Sequence, residues 1–272
     1  MPIPTKTDHR RAAFALVEAM VVIAIIGIIA ALLLPALNRA RARGMAIVCL
    51  NNTRQLNLGW QLYVEDHDGL LPCNFSMAGT SFRTNLNWVN NVMTSDLSPD
   101  NTNTDTITQA ALGSYVSGTL SVYRCPSDYL LSPVQSAAGW DNRLRSYAMN
   151  GLMGQNETGP SSANAHQFLK VTDVPKASDI FVFLDENPNN LNDGSFALNK
   201  TVVAGTTINN DTPAIWHNNS SALSFTDGHV SLHRWQNANA SGSSGGTVQS
   251  SALAQPASTD LQWLSEHMGA SN

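Results

Sequence analysis

The chain has 272 residues, a formal net charge of −5, and 13% charged against 43% hydrophobic residues. That balance excludes the basic footprint of a nucleic-acid-binding protein, and the length allows one large domain or two small ones behind any amino-terminal segment. Three cysteines, Cys49, Cys73 and Cys125, lack the closely paired spacing of a zinc-binding motif, so no zinc site is expected. The alternative reading of these cysteines is three buried thiols.

Residues 1–13 form a short polar leader carrying Lys6, Arg10 and Arg11. Phe14 to Leu34 is then apolar throughout except for Glu18. A hydrocarbon core of about 30 Å needs about 20 such residues in a helix, so 14–34 fits a membrane span. Glu18 is the anomaly, because a charged side chain within a bilayer costs about 2.5–3.5 kcal/mol and calls for a cationic partner. A secretory signal peptide is one simpler reading, with Ala40-Arg41-Ala42 as its cleavage site, but Glu18 interrupts the apolar run and Arg39, Arg41 and Arg43 crowd that site. A plain single-span anchor is another, and the basic residues on both flanks do not orient it.

After Pro35, Leu37, Met45, Val48, Asn52, Leu56, Gly59 and Tyr63 recur at helical spacing. One long helix is therefore expected, with 35–68 continuing the span as the spine of a soluble domain and Gly69 as its stop. Residues 74–108 are polar and aromatic by turns and end as a loop, while 111–116 fit a short helix or a strand equally well. TLSVYRCP (119–126) and SYAMNGLMG (146–154) read as short strands, and a loop occupies 155–166. Within 171–196, IFVFLDE is a buried strand ending on acids. Residues 216–235 read as a hairpin turning at Asp227-Gly228, with Val230 and Leu232 sharing a face. A Ser/Gly/Ala/Asn linker (236–259) leads to a short amphipathic helix in 260–272 that docks through Leu261 and Leu264. The fold class is α+β: a long amino-terminal helix packed on a small antiparallel β-sheet head at 69–235.

At the basic leader, Phe14, Glu18 and the unbroken hydrophobics after them, the chain resembles the type IV prepilin family and the pseudopilins of type II secretion. The resemblance implies a pilin-like fold, cleavage by prepilin peptidase between Ala13 and Phe14, and methylation of the new Phe14 amine. Glu18 then pairs with that amine of a neighbouring subunit in a filament. It implies other pilin or pseudopilin subunits as partners, and a single-pass place in the inner membrane with the amino terminus cytoplasmic and the head outside. The family usually has Gly before the cut, where this chain has Ala13. Gly27 and Pro35 fall where pilin helices loosen. His217, nine residues, then Asp227-Gly228, together with CLNN, RCPSD, SYAMNG and DENPNNLNDG, is similar to a prepilin-like family named for its H-X9-DG spacing. From that resemblance, CLNN and RCPSD suggest a Cys49–Cys125 disulfide.

Of groups that might carry chemistry, Asp185, Glu186 and Asp193 lie with His217, Asp227, His229 and His233 in the only cluster of acids and bases. DENPNNLND alternates oxygen-bearing residues as calcium loops do, and major pseudopilins often hold Ca2+ in a late loop, so Asp185, Glu186 and Asp193 are calcium candidates. The competing reading is an Asx-rich turn capped by its own side chains. His217 is read as a packed residue hydrogen-bonding the Asp-Gly turn. No recognisable nucleophile setting or phosphate cradle is present, which points away from an enzyme. A second functional class is a membrane-anchored glycan- or surface-polymer-binding protein using a surface around Trp88 and Trp216.

Overall fold

The computed structural model describes residues 8–74, 83–155, 167–198, 202–203, 206–207, 211–236 and 259–269, with side chains described from residue 18 on and outside 199–210. The first seven leader residues, most of the 155–166 loop and nearly all of the 236–259 linker lie outside those residues. The chain divides into two units, Met1–Gly44 and Met45–Asn272.

Every described residue of the first unit belongs to helix α1 (Asp8–Asp66). From Glu18 to Gly44 each of them is exposed, including eleven isoleucines, leucines, valines and a methionine between Met20 and Leu34. The helix passes through Gly27 and Pro35 without a break. Among the described residues this is the one helix long and apolar enough to cross a membrane.

In the second unit α1 changes character. Ala46, Cys49, Thr53, Leu56, Asn57, Trp60, Tyr63 and Val64 are buried, at the threes and fours of one helical face. The stripe expected from sequence is displaced at its start: Val48 is 48% exposed, whereas Cys49 and Thr53 are wholly buried. The helix stops as expected, with Gly69 at φ +80° and its N–H donating to Val64 O at 2.9 Å, a left-handed cap that a side chain would strain.

The sheet has five strands, β1 (Tyr147–Asn150), β2 (Phe181–Asp185), β3 (Ser195–Phe196), β6 (Ser220–Phe225) and β7 (Val230–Arg234), in the order β3-β1-β2-β6-β7. It is mixed rather than purely antiparallel, because β3 runs parallel to β1. The connection after β2 folds back over the end of β1 and lays β3 on its free edge, where Met149 N–H meets Gly194 O at 2.9 Å. β1, β2 and β6 are buried at every position, so they read as continuous apolar or small-residue runs rather than alternating ones. A separate pair, β4 (Val202–Val203) and β5 (Thr206–Thr207), is antiparallel.

The expected strand in TLSVYRCP is instead a 3-10 turn at Leu120–Tyr123. It buries the consecutive Val122 and Tyr123, which a strand would send to opposite faces. Residues 111–116 form neither helix nor strand but a series of turns. Four other short pieces complete the connections: 3-10 turns at Pro99–Asn101 and Val171–Asp173, with helices α2 (Asp105–Thr108) and α3 (Pro133–Ala137).

The β6–β7 hairpin turns at Asp227-Gly228 as read from sequence. Its Val230 and Leu232 share the more open face, Leu232 at 38% exposure, while His233 and Trp235 face helix α4 (Thr259–Met268). Trp263 of α4 stacks on His233 at 3.7 Å and meets Trp235 edge-on at 5.6 Å. Leu264 and Met268 are buried and Leu261 packs against the core, so this helix docks as expected, with Trp263 as an additional anchor.

Candidate metal centre

Four separate segments meet where α1 enters the sheet. Cys49 comes from α1, Cys125 from the extended stretch after the 3-10 turn, Asp185 from the last position of β2, and His217 from the turn before β6. One donor atom from each lies within 4.8 Å of all the others. Cys49 Sγ is 3.7 Å from Asp185 Oδ2, and Cys125 Sγ is 3.2 Å from His217 Nε2. The first three residues are fully buried and His217 is 9% exposed.

Local structure explains each placement. Asn52, one turn beyond Cys49, donates its amide to Ser121 O at 3.0 Å and Arg124 O at 2.8 Å, which holds the Cys125 segment against α1. Asp128 N–H donates to Cys125 O at 3.0 Å, and Ser146 Oγ donates to the Asp128 carboxylate at 2.8 Å, so RCPSD is a turn tied to the start of β1. Asp185 sits opposite Tyr147 in the β1–β2 register, which puts both side chains on one face of the sheet. There the Tyr147 hydroxyl is 3.1 Å from Cys49 Sγ and donates to Cys49 O at 3.2 Å. Ala214 N–H donates to Asp185 O at 2.8 Å, which brings the chain alongside β2 just ahead of His217.

Burial dominates the electrostatics. Desolvation pushes both thiols up, with the Asp185 charge adding to the rise at Cys49 and the Cys49 thiol adding to it at Cys125, and lifts the Asp185 carboxyl well above the usual carboxylate range. Desolvation lowers His217. Burial thus disfavours the charged form of each of the four groups. Thiols raised in this way and shut off from solvent are not poised as nucleophiles, despite the Cys125–His217 contact.

This geometry revises several expectations. Cys49 and Cys125 do come together, but as two free thiols rather than a disulfide, with Asp185 beside Cys49 and His217 beside Cys125. His217 does not hydrogen-bond the Asp-Gly turn: it precedes β6, while Asp227 and Gly228 follow it, at the far end of the strand. There Gly228, at φ +95°, comes so close to α1 that an added Cβ would lie 2.7 Å from Gln61 Nε2. Asp227 caps its own turn by accepting from His229 N–H at 3.1 Å. The two halves of H-X9-DG thus brace opposite ends of β6 against one helix, about 18 Å apart along α1 from Cys49 to Gln61 at 1.5 Å per residue.

Asp185, Glu186 and Asp193 do not assemble into a calcium site; among the described residues the one convergent group of ligand atoms is the Cys49 cluster. Successive residues of a strand point to opposite faces, which parts Asp185 from Glu186. In the loop, Asn187 Oδ1 accepts from Asn189 N–H at 3.0 Å and Asp193 Oδ1 from Ser195 N–H at 2.8 Å, the self-capped turn of the competing reading. Glu186 instead joins a second buried set with Arg143, Arg145 and Asp193, where burial raises its carboxyl well above the ordinary range. Arg145 is wholly buried and donates to Asn91 Oδ1 at 3.2 Å and to the carbonyls of Tyr147 and Asp193. Trp88 lies under that guanidinium and is itself fully buried, its indole donating to Gly194 O at 3.0 Å, so it cannot belong to a glycan-binding surface. Trp216 is half-buried beside the exposed Tyr129.

Sequence reasoning passes over Tyr147 and Arg145 and reads Asn52 only as a member of the helical stripe. Tyr147 stands in SYAMNG, a pattern that points to the family resemblance but not to this contact; for Arg145 the sequence offers no signal.

A family model described as the prokaryotic N-terminal methylation motif matches residues 8–34. Ala13, Phe14 and Glu18 fall inside that stretch, on the helical backbone of α1, and the Glu18 side chain is exposed. Comparison with curated proteins and with solved structures finds no match. The matched segment makes the chain prepilin-like at its amino terminus, with processing by prepilin peptidase and assembly with other pilin subunits as what that motif implies.

Proposed function

We propose that this chain is a structural subunit of a type II secretion pseudopilus or a related type IV pilus-like filament, of the H-X9-DG kind. Prepilin peptidase cuts between Ala13 and Phe14 and methylates the Phe14 amine. Residues 14–34 then anchor the subunit in the cytoplasmic membrane with its head outside, until it enters the filament. Glu18 accepts the Phe14 ammonium of an adjoining subunit, a pair that low dielectric strengthens relative to water. Helix packing supplies the rest of the association, because lipid provides no hydrophobic drive between spans.

The observation that carries this reading is the match at residues 8–34 on a helix that runs on without interruption as the spine of an α+β head. Mass spectrometry of the mature chain tests it. An N-methylated Phe14 at the amino terminus is the expected result, and an intact Met1 in membranes that contain the peptidase overturns it.

A further inference from the structure

We propose that Cys49, Cys125, Asp185 and His217 form a structural zinc site that fastens the spine helix to the sheet. The inference is independent of filament assembly and concerns the head alone. Two observations carry it. The first is the convergence of four donors, two sulfurs, an imidazole nitrogen and a carboxylate oxygen, within 4.8 Å of one another. Tetrahedral zinc, with Zn–S near 2.3 Å and Zn–N or Zn–O near 2.0–2.2 Å, separates a sulfur from a nitrogen or oxygen ligand by about 3.6 Å. The Cys49–Asp185 distance of 3.7 Å and the Cys125–His217 distance of 3.2 Å are close to that edge length. The second is that the Asp185 carboxyl is fully buried and incompletely partnered: Oδ2 has the Cys49 thiol 3.7 Å away and Oδ1 has no hydrogen-bond partner. A buried carboxyl with an unpaired oxygen is costly, and a cation bound by Asp185 would offset that cost.

The donor set chooses the metal. Calcium and magnesium take six or more oxygens, and this cluster offers two sulfurs. Thiolate and imidazole at tetrahedral spacing select zinc. Binding would displace the Cys49 and Cys125 thiol protons to solvent, leaving two thiolates, the Asp185 carboxylate and a neutral imidazole on one divalent ion. Tyr147 is the outer partner, its hydroxyl 3.1 Å from Cys49 Sγ and placed to donate to the thiolate. The four ligands belong to four segments, with His217 92 positions beyond Cys125 and Asp185 136 beyond Cys49, so one ion closes three long loops at once.

The test uses the full chain in detergent, reduced and stripped with a chelator, then titrated with zinc alone and with cobalt(II) as a spectroscopic stand-in. Uptake of a single zinc per chain is expected, with a rise in the thermal midpoint that chelator reverses. The cobalt form should show thiolate-to-metal charge transfer and the strong visible bands of a tetrahedral ion. Cys125→Ser and His217→Ala should each abolish single-ion uptake, Cys73→Ser should leave it unchanged, and Tyr147→Phe should weaken it by about 10–100-fold. Where a ligand variant fails to fold, the chelator-reversible midpoint shift of the unaltered chain remains the readout. Absence of uptake at large zinc excess, equal uptake by the Cys125→Ser/His217→Ala double variant, or a Cys49–Cys125 disulfide in chain isolated from its native membrane would each overturn the proposal.

Discussion

Helix α1 contains two regions that share a backbone and little else. From Glu18 to Gly44 every side chain is exposed, whereas from Met45 to Asp66 burial recurs every three or four residues. The first region is apolar around its whole circumference up to Leu34 save for Glu18; the second buries one face and leaves Ile47, Val48, Leu58 and Leu62 exposed among polar residues on the other. Helix propensity does not separate them. The arrangement of side chains around the axis does, because a helix in lipid meets the same solvent on all sides and a helix against a sheet meets the core on one. The acids follow the same division. Glu18 stands alone in the first region, while in the second Asp66 is at the exposed end and accepts the Tyr115 hydroxyl at 2.9 Å.

Removing the lone acid gives the largest expected effect. On the proposed assembly, Glu18→Ala takes a charge out of the bilayer and should insert at least as well as the unaltered chain, yet filament yield should fall to background. Membrane fractionation and filament shearing measure the two quantities separately, and a normal yield would mean that the Phe14 amine needs no partner. In the second unit the corresponding liability is Arg145, a cation that is already paired. Arg145→Ala strands Asn91 Oδ1 and the Tyr147 and Asp193 carbonyls and removes the larger of the two positive charges near Glu186, leaving Arg143, so a loss of about 3–5 kcal/mol is expected in denaturant unfolding.

The contrast also explains how much is legible in sequence. A uniform apolar run with one acid is written in sequence order, so the long apolar helix can be read directly. The β2 strand and the β6–β7 hairpin are readable for a similar reason: IFVFL is continuous and Asp227-Gly228 is a strong turn signal. The Cys49 cluster is not, and the absence of close cysteine pairs argues against zinc. Its four ligands meet only because Asn52 holds the Cys125 segment, the β1–β2 register sets Asp185 opposite Tyr147, and the chain beside β2 delivers His217. None of these contacts is local. The mixed sheet is hidden likewise, since the parallel β3 depends on a two-residue pairing beyond β1 that no alternation announces.

A pH dependence should separate the two regions further, because the buried acids lie in the second. Burial pushes Asp211 up to about 7, with Asp193 adding to the rise and the Ala197 N–H and Arg145 opposing it. A carboxyl whose folded pKa exceeds its unfolded value favours the folded state while protonated. Its contribution is full below about pH 4 and is lost as pH rises to about 7. Linkage limits that loss to about 4 kcal/mol, and the half-buried side chain makes it smaller. Asp211→Asn retains an acceptor for the Ala197 N–H, which lies 2.7 Å from Asp211 Oδ2, and should flatten the decline in thermal midpoint between pH 5 and 7.

The smallest expected effect falls on an isoleucine. Ile26 and Ile47 are 59% and 66% exposed, so by exposure alone they are equivalent. If α1 is built for two solvents, they are not. Ile47 lies on the outer face of the second region, between the buried Ala46 and the exposed Val48, where water already covers it. Ile47→Ser should therefore shift the unfolding free energy of the detergent-solubilised chain by less than about 0.5 kcal/mol. The same change at Ile26 places a hydroxyl in the hydrocarbon core and should weaken membrane insertion without altering the head's unfolding midpoint. A loss of head stability above about 1 kcal/mol from Ile47→Ser would show that the outer face is not solvent-facing, and the division of the helix at Met45 would have to move.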